Sequence, residues 1–389
     1  MFLDDQEQQI LNEVRQFLAD EVTPELVAES LHNELLYGGQ LGRKFIRKFA
    51  QRGWLVPTWP REYGGLDCSQ MLAASIRHEM AYARVPMTFS GAFQGGPTIL
   101  NYGSDEMKAE FLPGLASGEF EFALGYSEPG AGSDLMGLKM LAEDKGDHFL
   151  INGQKIFTTQ AHIGDYHWLA VRTNPDGPKS ERLSLFVVDF NTPGITVNPM
   201  FTMAGTRTNA VFYDNVKVDR KFLVGEKNKG YHYILAALEH ERTFPYGHYL
   251  RFFEELLDYT KTATRNGRPL ARDPLIRQRL ADHATELEVI KHLYYNIAAL
   301  MDEGRSPAYE ASMEKLFLCE FEQRLAATAM EILGHLGQLK EGSAAAPLNG
   351  LAEYYYRWTV IETIYGGTSE VQRNIIASRG LQMPRAPRK

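Results

Sequence analysis

Residues 126–134 read Tyr-Ser-Glu-Pro-Gly-Ala-Gly-Ser-Asp, and the pattern of the chain changes at this stretch. Apolar residues recur at helical spacing before it, and short runs rich in Val, Ile, Phe and Thr follow it. Its two alternate glycines would let backbone N–H groups approach a flat ring or a phosphate closely. From the residues alone, a cofactor loop and a plain surface turn both fit.

The β-rich centre lies between two helical regions. Turn residues separate its runs, and helices do not alternate with them, which predicts a small antiparallel barrel or sandwich and argues against a Rossmann sheet. Helical periodicity predicts a helix over 70–83, one after Asp4 and Asp5, long helices over 231–263 (kinked at Pro245), 273–303 and 309–339, and a last helix from Ser369. We expect an α+β multi-domain fold: a helical domain (1–120), a central β domain (121–226) and a C-terminal four-helix bundle (227–389).

Composition limits the class of protein. The 389 residues are 44% hydrophobic and 23% charged, with a formal net charge of −8, which excludes wholesale disorder and argues against nucleic acid as the main partner. Cys68 and Cys319 form neither a disulfide framework nor zinc-type spacing. The start of the chain is acidic, and no apolar run reaches the roughly 20 residues of a membrane span. We expect a soluble cytoplasmic protein without a metal.

Glu241 is the first candidate catalytic group. Ile234, Leu238, Glu241 and Pro245 follow +4, +3, +4 spacing and share one stripe of an ideal helix. A carboxylate on the apolar side is desolvated, so its pKa should rise and it could act as a base. A buried ion pair with Arg242 is an equal alternative.

Residues 364–374 form the other candidate site. They read Ile-Tyr-Gly-Gly-Thr-Ser-Glu-Val-Gln-Arg-Asn, a glycine turn followed by a helix start. Free N–H groups and a Thr hydroxyl there could bind an anion or polar ligand. An ordinary capping box fits too, and both interpretations can hold at once.

Taken in order, these motifs resemble the acyl-CoA dehydrogenase family over nearly the whole chain. Residues 126–134 are similar to its most specific signature, 151–159 (Ile-Asn-Gly-Gln-Lys-Ile-Phe-Thr-Thr) to the next, and 365–373 to its C-terminal flavin motif. The resemblance implies FAD-dependent α,β-dehydrogenation of an acyl-CoA thioester.

The resemblance also implies roles for particular residues. Ser127 and Thr159 would hydrogen-bond the flavin ring, Phe157 would lie beside it, Ser133 would lie near the CoA arm, and Thr368 and Glu370 would contact the nucleotide part. The implied FAD-binding set is Leu124, Tyr126, Ser127, Gly132, Ser133, Phe157, Thr158, Thr159, Gly366, Gly367, Thr368 and Glu370. The implied substrate-binding set is Ser133, Arg242 and Gly366.

The catalytic base departs from the commonest family pattern. Many members carry it as Glu in a Tyr-Glu-Gly-Thr run, where this chain has Gly366. Another branch places it on the long helix before an Arg, which Glu241-Arg242 matches, so Glu241 is the predicted base and Glu362 the fallback. The backbone N–H of Gly366 would still hold the thioester oxygen.

Two further departures concern subunits. Residues 265–270 lack the Phe of the family's Arg-x-x-Phe-Gly, and His335 replaces the second Gly of its Gln-x-x-Gly-Gly-x-Gly. In the family these segments reach a neighbour's FAD. The resemblance therefore implies a homotetramer, or an α2β2 enzyme like the bacterial steroid side-chain dehydrogenases, that passes electrons to an electron-transferring flavoprotein. An oxygen-using oxidase or monooxygenase and a non-catalytic partner subunit remain alternatives.

Overall fold

A computed structural model of the chain describes residues 3–31, 39–87, 89–241 and 244–384, without the side chains of 238–241. In these ranges the α-helices are α1 (Asp5–Glu21), α2 (Pro24–Leu31), α3 (Gln40–Ala50), α4 (Gln70–Ala83), α5 (Gly96–Tyr102), α6 (Asp105–Ser117), α7 (Gly230–Glu241), α8 (Gly247–Thr262), α9 (Pro274–Asp302), α10 (Glu310–Leu333), α11 (Leu351–Glu362) and α12 (Ser369–Ile375). The strands are β1 (Phe122–Gly125), β2 (Leu141–Asp144), β3 (His148–Lys155), β4 (Tyr166–Arg172), β5 (Leu183–Asp189), β6 (Ile195–Phe201), β7 (Arg207–Asp219), β8 (Leu223–Val224), β9 (Thr264–Arg265) and β10 (Arg268–Pro269).

The chain divides into two compact units. The first, which we call the sheet unit, comprises residues 16–73 and 85–241. The second, the bundle unit, comprises residues 1–15, 74–84 and 242–389.

The sheet unit is built on one large sheet with the order β6-β7-β3-β2-β4-β5-β8, and β1 pairs with β4. The ladders β3–β7, β4–β5 and β6–β7 are antiparallel, as predicted, and Phe149, Ile151 and Phe186 are buried in its core. The structure departs from the predicted antiparallel barrel or sandwich in two respects. Both β1 and β2 pair in parallel with β4, and no ladder in the described ranges joins β6 to β8. A parallel pair needs a long connection rather than a hairpin, and residues 126–165 supply one between β1 and β4.

The bundle unit contains the helices predicted after residue 230, apart from α7. Helix α10 packs against α9 and α11, and α8 packs against α9 and α10. Asp273 caps α9 by accepting hydrogen bonds from the N–H groups of Leu275 and Ile276. The predicted helix over 231–263 is two helices, because Pro245 lacks an N–H and disfavours helical geometry at the residue before it.

No helix among the described residues has both the length and the apolar character needed to cross a membrane.

Candidate active site

The stretch 126–134 follows β1 in the sheet unit and is held by a buried ion pair. The Lys155 ammonium donates to Glu128 Oε1 at 2.8 Å and to the carbonyl oxygen of Tyr126 at 3.2 Å. The same carboxylate accepts hydrogen bonds from two backbone groups: the N–H of Lys139 donates to Oε2 at 2.7 Å, and the N–H of Met140 donates to Oε1 at 3.0 Å. Lys155 and Glu128 therefore fix the backbone on both sides of Ser127, at Tyr126 and at Glu128.

Burial leaves this ion pair sensitive to pH. The Lys155 side chain has no exposed surface and that of Glu128 only 7%. Desolvation lowers the pKa of Lys155 to about 8, although the Glu128 carboxylate opposes the shift. The lysine is thus a charged group whose proton is held less firmly than in water.

The glycines of this stretch face open space. A Cβ built on Gly130 or Gly132 would meet no atom within 4 Å, and neither residue has a left-handed φ. The protein's own structure therefore does not require glycine at either position. Gly132 and Ser133 are exposed, so a flat group could approach this backbone closely, as the chemistry of an FAD site demands.

A strained turn lies beside this loop, because the N–H of Ile156 donates to the carbonyl oxygen of Ser127 at 2.9 Å. Phe157 has a φ of 58°, unusual for an aromatic residue, and 62% of its surface is exposed. Thr159 is exposed as well, whereas Thr158 is fully buried. Backbone strain of this kind concentrates at ligand sites, and the exposed Phe157 ring is available to a partner.

Asn209 explains how the strained turn is held. Its Nδ2 donates to the carbonyl oxygen of Thr158 at 2.9 Å, and its own carbonyl oxygen accepts from the N–H of Thr158 at 3.0 Å. The Thr158 Oγ1 atom is buried without a hydrogen-bond partner among the described residues. The backbone of this residue is therefore fixed on both sides, while its hydroxyl does not reach the surface.

In the bundle unit, residues 363–368 form a turn between α11 and α12. Gly366 and Gly367 have φ values of 60° and 92°, where glycine is strongly favoured. The Gln372 side chain donates to their carbonyl oxygens at 3.0 and 3.2 Å. Within the described chain, the N–H of Gly366 donates no hydrogen bond. The N–H groups of Gly367 and Thr368 also donate none there, so the turn presents three free backbone donors, of which that of Gly366 is one.

The start of α12 has the Thr cap of the predicted capping box but not its Glu or Gln partner, because Val371 lies three residues after Thr368 and Gln372 donates to the turn instead. Thr368 Oγ1 accepts a hydrogen bond from the N–H of Val371 at 3.3 Å. A cleft of about 590 Å³ opens beside this cap. Its polar lining includes Arg324, Thr363, Thr368, Ser369, Glu370 and Arg373. Such a surface fits the polar part of a nucleotide.

The two candidate bases differ in what the structure shows. Glu241 is the last residue of α7, which buries Ile234 and Ala237. The side chain of Glu241 and the whole of Arg242 lie outside the described residues. Glu362 is buried and already engaged, since the Trp358 indole N–H donates to it and the Tyr365 hydroxyl hydrogen-bonds with it. Burial raises the pKa of Glu362.

Three charged residues of the structure had no role in the sequence interpretation: Glu128, Lys155 and Lys315. The sequence signal for Lys155 was weak, since 27 residues separate it from Glu128. For Lys315 there was a signal. Ala311, Lys315, Leu318, Glu322 and Leu325 follow the spacing of one helix face, and all five are buried.

Comparison with known proteins places these features in one family. Models of the N-terminal, middle and C-terminal domains of acyl-CoA dehydrogenase match residues 4–119, 123–216 and 228–381. The chain is 38% identical to the acyl-CoA dehydrogenase FadE26 of Mycobacterium tuberculosis, and the match covers 98% of each chain.

Two solved structures are similar over nearly the full length. One is described as the Tcur3481-Tcur3483 steroid ACAD (TM-score 0.91, 32% identity, 99% of each chain). The other is the ChsE4-ChsE5 complex from Mycobacterium tuberculosis (TM-score 0.90, 35% identity, 99% of this chain and 100% of that one). The chain therefore belongs to the acyl-CoA dehydrogenase family.

Proposed function

We propose that the chain oxidises an acyl-CoA thioester to the 2-enoyl-CoA, with Glu241 as the base that removes the α-proton. FAD, the cofactor of the family, would take up the β-hydrogen as hydride, so the substrate would lose one proton and one hydride, which is two protons and two electrons in all. The observation that carries the proposal is the turn at Gly366, which has no carboxyl group but keeps a backbone N–H without an acceptor in the described chain.

Each unit has residues suited to the cofactor. In the sheet unit, we propose that Leu124, Tyr126, Ser127, Gly132 and Ser133 hold the flavin. The open space at Gly132 and the free surface of Ser133 support this role.

The strained turn of the sheet unit adds the remaining flavin contacts. Phe157 would cover the ring, and the exposed Thr159 would hydrogen-bond it. Thr158 would contribute through its backbone, because its side chain is fully buried. The positive φ of Phe157, held by the bonds to Asn209, supports a turn shaped for a ligand.

In the bundle unit, we propose that Gly366, Gly367, Thr368 and Glu370 contact FAD. The cleft beside the α12 cap supports this placement for Thr368 and Glu370, which line it.

Glu241 is the favoured base on chemical grounds. Position 366 offers no carboxyl group, and Glu362 already has two hydrogen-bonding partners on its carboxylate. Helix α7 places Ile234, which shares the stripe with Glu241, in the apolar interior of the sheet unit. A base on that stripe would be poorly solvated and correspondingly stronger. Arg242, the next residue, would bind the substrate.

The Gly366 N–H would act on the thioester oxygen. Loss of the α-proton puts negative charge on that oxygen, and a fixed donor stabilises it. Removal of one such donor in other enzymes costs about 2.7–4 kcal/mol. The two hydrogen bonds from Gln372 support this role, because they fix the carbonyl groups of the turn and leave this N–H available.

The relatives favour a steroid-derived or branched acyl chain, since one similar structure is described as a steroid ACAD. They also favour a heteromeric enzyme, since the descriptions of two similar structures each name two different proteins. The changes at 265–270 and at His335 agree with a chain that keeps the half-site for its own flavin but has a weakened version of the half-site it would lend to a neighbour. We further propose the domain bounds 1–120, 121–226 and 227–389, a cytoplasmic location and an electron-transferring flavoprotein as acceptor.

The reaction is tested by anaerobic mixing of the FAD-loaded protein with short, branched, long and steroid-side-chain acyl-CoA esters, alone and with a candidate partner chain. We expect bleaching of flavin absorbance near 450 nm and a product two mass units lighter. Absence of both with every ester and partner would contradict the proposal. Reoxidation in air as fast as with an electron-transferring flavoprotein would instead identify an oxidase.

The base is tested by Glu241→Gln, with Glu239→Gln as the matched control on the same helix. We expect the first variant to keep FAD and lose at least 1000-fold in the bleaching rate. The second should stay within threefold of the wild type, because Glu239 lies on another side of the helix. Near-normal bleaching by Glu241→Gln would exclude this residue as the base.

A further inference from the structure

Lys315 is a buried cation at the centre of the bundle unit. Only 2% of its surface is exposed, and α10 carries it on the face that buries Leu318 and Leu325. A lysine is almost never buried this completely without a specific partner. The contacts of its ammonium group therefore identify what it does.

The ammonium group binds backbone rather than a carboxylate. It donates to the carbonyl oxygen of Glu362, the last residue of α11, at 2.9 Å, and lies 3.7 Å from Cys319 Sγ. It also lies 5.7 and 5.4 Å from the ring centres of Phe244 and Tyr365. In the described chain, no carboxylate oxygen lies within 4 Å of it.

Three buried glutamates nevertheless surround this lysine. Burial raises the pKa of Glu314, Glu322 and Glu362, and the positive charge of Lys315 opposes the shift at each. Lys315 is thus a cation that favours the ionised form of all three from a distance, together with Arg77 at Glu314. Its hydrogen bond is directed to the end of α11, where the turn of residues 363–368 begins.

The stem of Lys315 also contacts that turn. A Cβ built on Gly366 would lie 3.3 Å from Lys315 Cε and 3.5 Å from Phe244 Cζ. The backbone of Gly366 therefore packs directly against the lysine side chain. Gln372 donates to the carbonyl groups of Gly366 and Gly367, so both side chains hold the turn that carries the Gly366 N–H.

From these contacts we propose that Lys315 is a positioning residue that sets the direction of the Gly366 N–H. The inference rests on the proposed function, in which this N–H binds the thioester oxygen. Lys315 touches neither the proposed substrate nor the cofactor. It acts through the carbonyl of Glu362, through its packing against Gly366 and through its ring contacts with Tyr365.

The test compares Lys315→Met, which keeps the stem and removes the ammonium group, with Lys291→Met on α9. Lys291 is exposed, and its ion pair among the described residues is with Glu288 of the same helix, so this control should match the wild type. In Lys315→Met we expect amide exchange of peptides covering 361–369 to accelerate at least tenfold. The bleaching rate should fall at least tenfold, with less than threefold change in FAD affinity or KM.

Amide exchange separates this inference from the proposed function, because it is measured without turnover. If none of the acyl-CoA esters bleached the flavin of the wild-type protein, the proposed function would be contradicted. Faster amide exchange in Lys315→Met would still support the positioning role in that case. Wild-type exchange and bleaching in Lys315→Met would overturn the inference.

If Lys315→Met does not fold, the same two measurements are made on Lys315→Gln, whose side chain is shorter and uncharged but can still donate a hydrogen bond. Exchange over 361–369 and bleaching altered at least fivefold would support the role of Lys315. Wild-type values for both would overturn it.

Discussion

The two glycine-bearing loops of this protein are each held by a buried lysine, but in different ways. Lys155 lies beneath the loop of residues 126–134 and forms an ion pair with Glu128 at 2.8 Å. Lys315 lies beneath the turn of residues 363–368 and donates to the backbone carbonyl of Glu362 at 2.9 Å. The first lysine has a direct counter-ion, and in the described chain the second has none within 4 Å.

This difference indicates what each loop must do. The Glu128 carboxylate pairs with Lys155 and also accepts hydrogen bonds from two backbone N–H groups, so it makes the loop rigid. A rigid loop suits the binding of a flat cofactor ring and is called the platform below. A lysine that binds backbone leaves its charge only partly balanced beside the proposed reacting centre. Because the proposed reaction puts negative charge on the thioester oxygen at Gly366, a cation whose charge is only partly balanced suits that turn, whereas the ion pair suits a platform for the flavin ring.

The largest effect should come from breaking the ion pair. Lys155→Met leaves the Glu128 carboxylate buried without its cation, which costs about 3–5 kcal/mol of stability. Denaturant unfolding measures the loss, with the exposed Lys217→Met in β7 as the control.

The double variant Lys155→Met/Glu128→Gln sharpens this prediction. It removes the unpaired charge and keeps an acceptor for the backbone N–H groups, so we expect at least half of the loss to be recovered. A double variant as unstable as Lys155→Met would mean that the ion pair is not the cause.

A smaller effect should appear as a dependence on pH. Since burial lowers the pKa of folded Lys155 to about 8, below its value of 10.5 in the unfolded chain, the unfolded state binds more protons between pH 8 and 10.5. The stability of the wild type relative to Lys155→Met should therefore rise with pH in that window, by at most about 1.4 kcal/mol per pH unit. Urea unfolding of both proteins at pH 7.5, 8.5 and 9.5 measures it, and a constant or falling difference would contradict it.

The smallest effect concerns the open glycines of the platform. Gly132→Ala should leave the stability of the FAD-free protein unchanged or raise it by about 0.4–1 kcal/mol, because the new methyl group meets no neighbour. If the flavin uses this space, its affinity should fall about fivefold. Titration with FAD measures the change, with Gly130→Ala in the same loop as control, and equal affinities for the two variants would remove Gly132 from the site.

Much of this organisation could be predicted from the sequence. Helix α4 occupies the predicted residues 70–83, Asp273 caps α9, and Thr368 caps α12. These elements are set by local signals, namely periodicity, capping side chains and turn residues. The resemblance to the family depended on the same short motifs.

What escaped prediction depends on contacts between distant residues. Two examples are the parallel pairing of β1 with β4 and the ion pair of Lys155 with Glu128. In both cases the local sequence of one segment carries no information about which distant segment it contacts. Lys315 could have been noticed, because it lies among apolar residues on a buried face of α10 that carries one other charged residue, Glu322. Its partner could not, because that partner is a backbone carbonyl on another helix.

The measurement that tests the central claim most directly is exchange of the substrate α-proton with D2O, followed by mass spectrometry in Glu241→Gln and Glu362→Gln. The account predicts that exchange is lost in Glu241→Gln and retained within about fivefold in Glu362→Gln, because the latter carboxyl only supports the turn. Exchange that persists in Glu241→Gln and disappears in Glu362→Gln would contradict it.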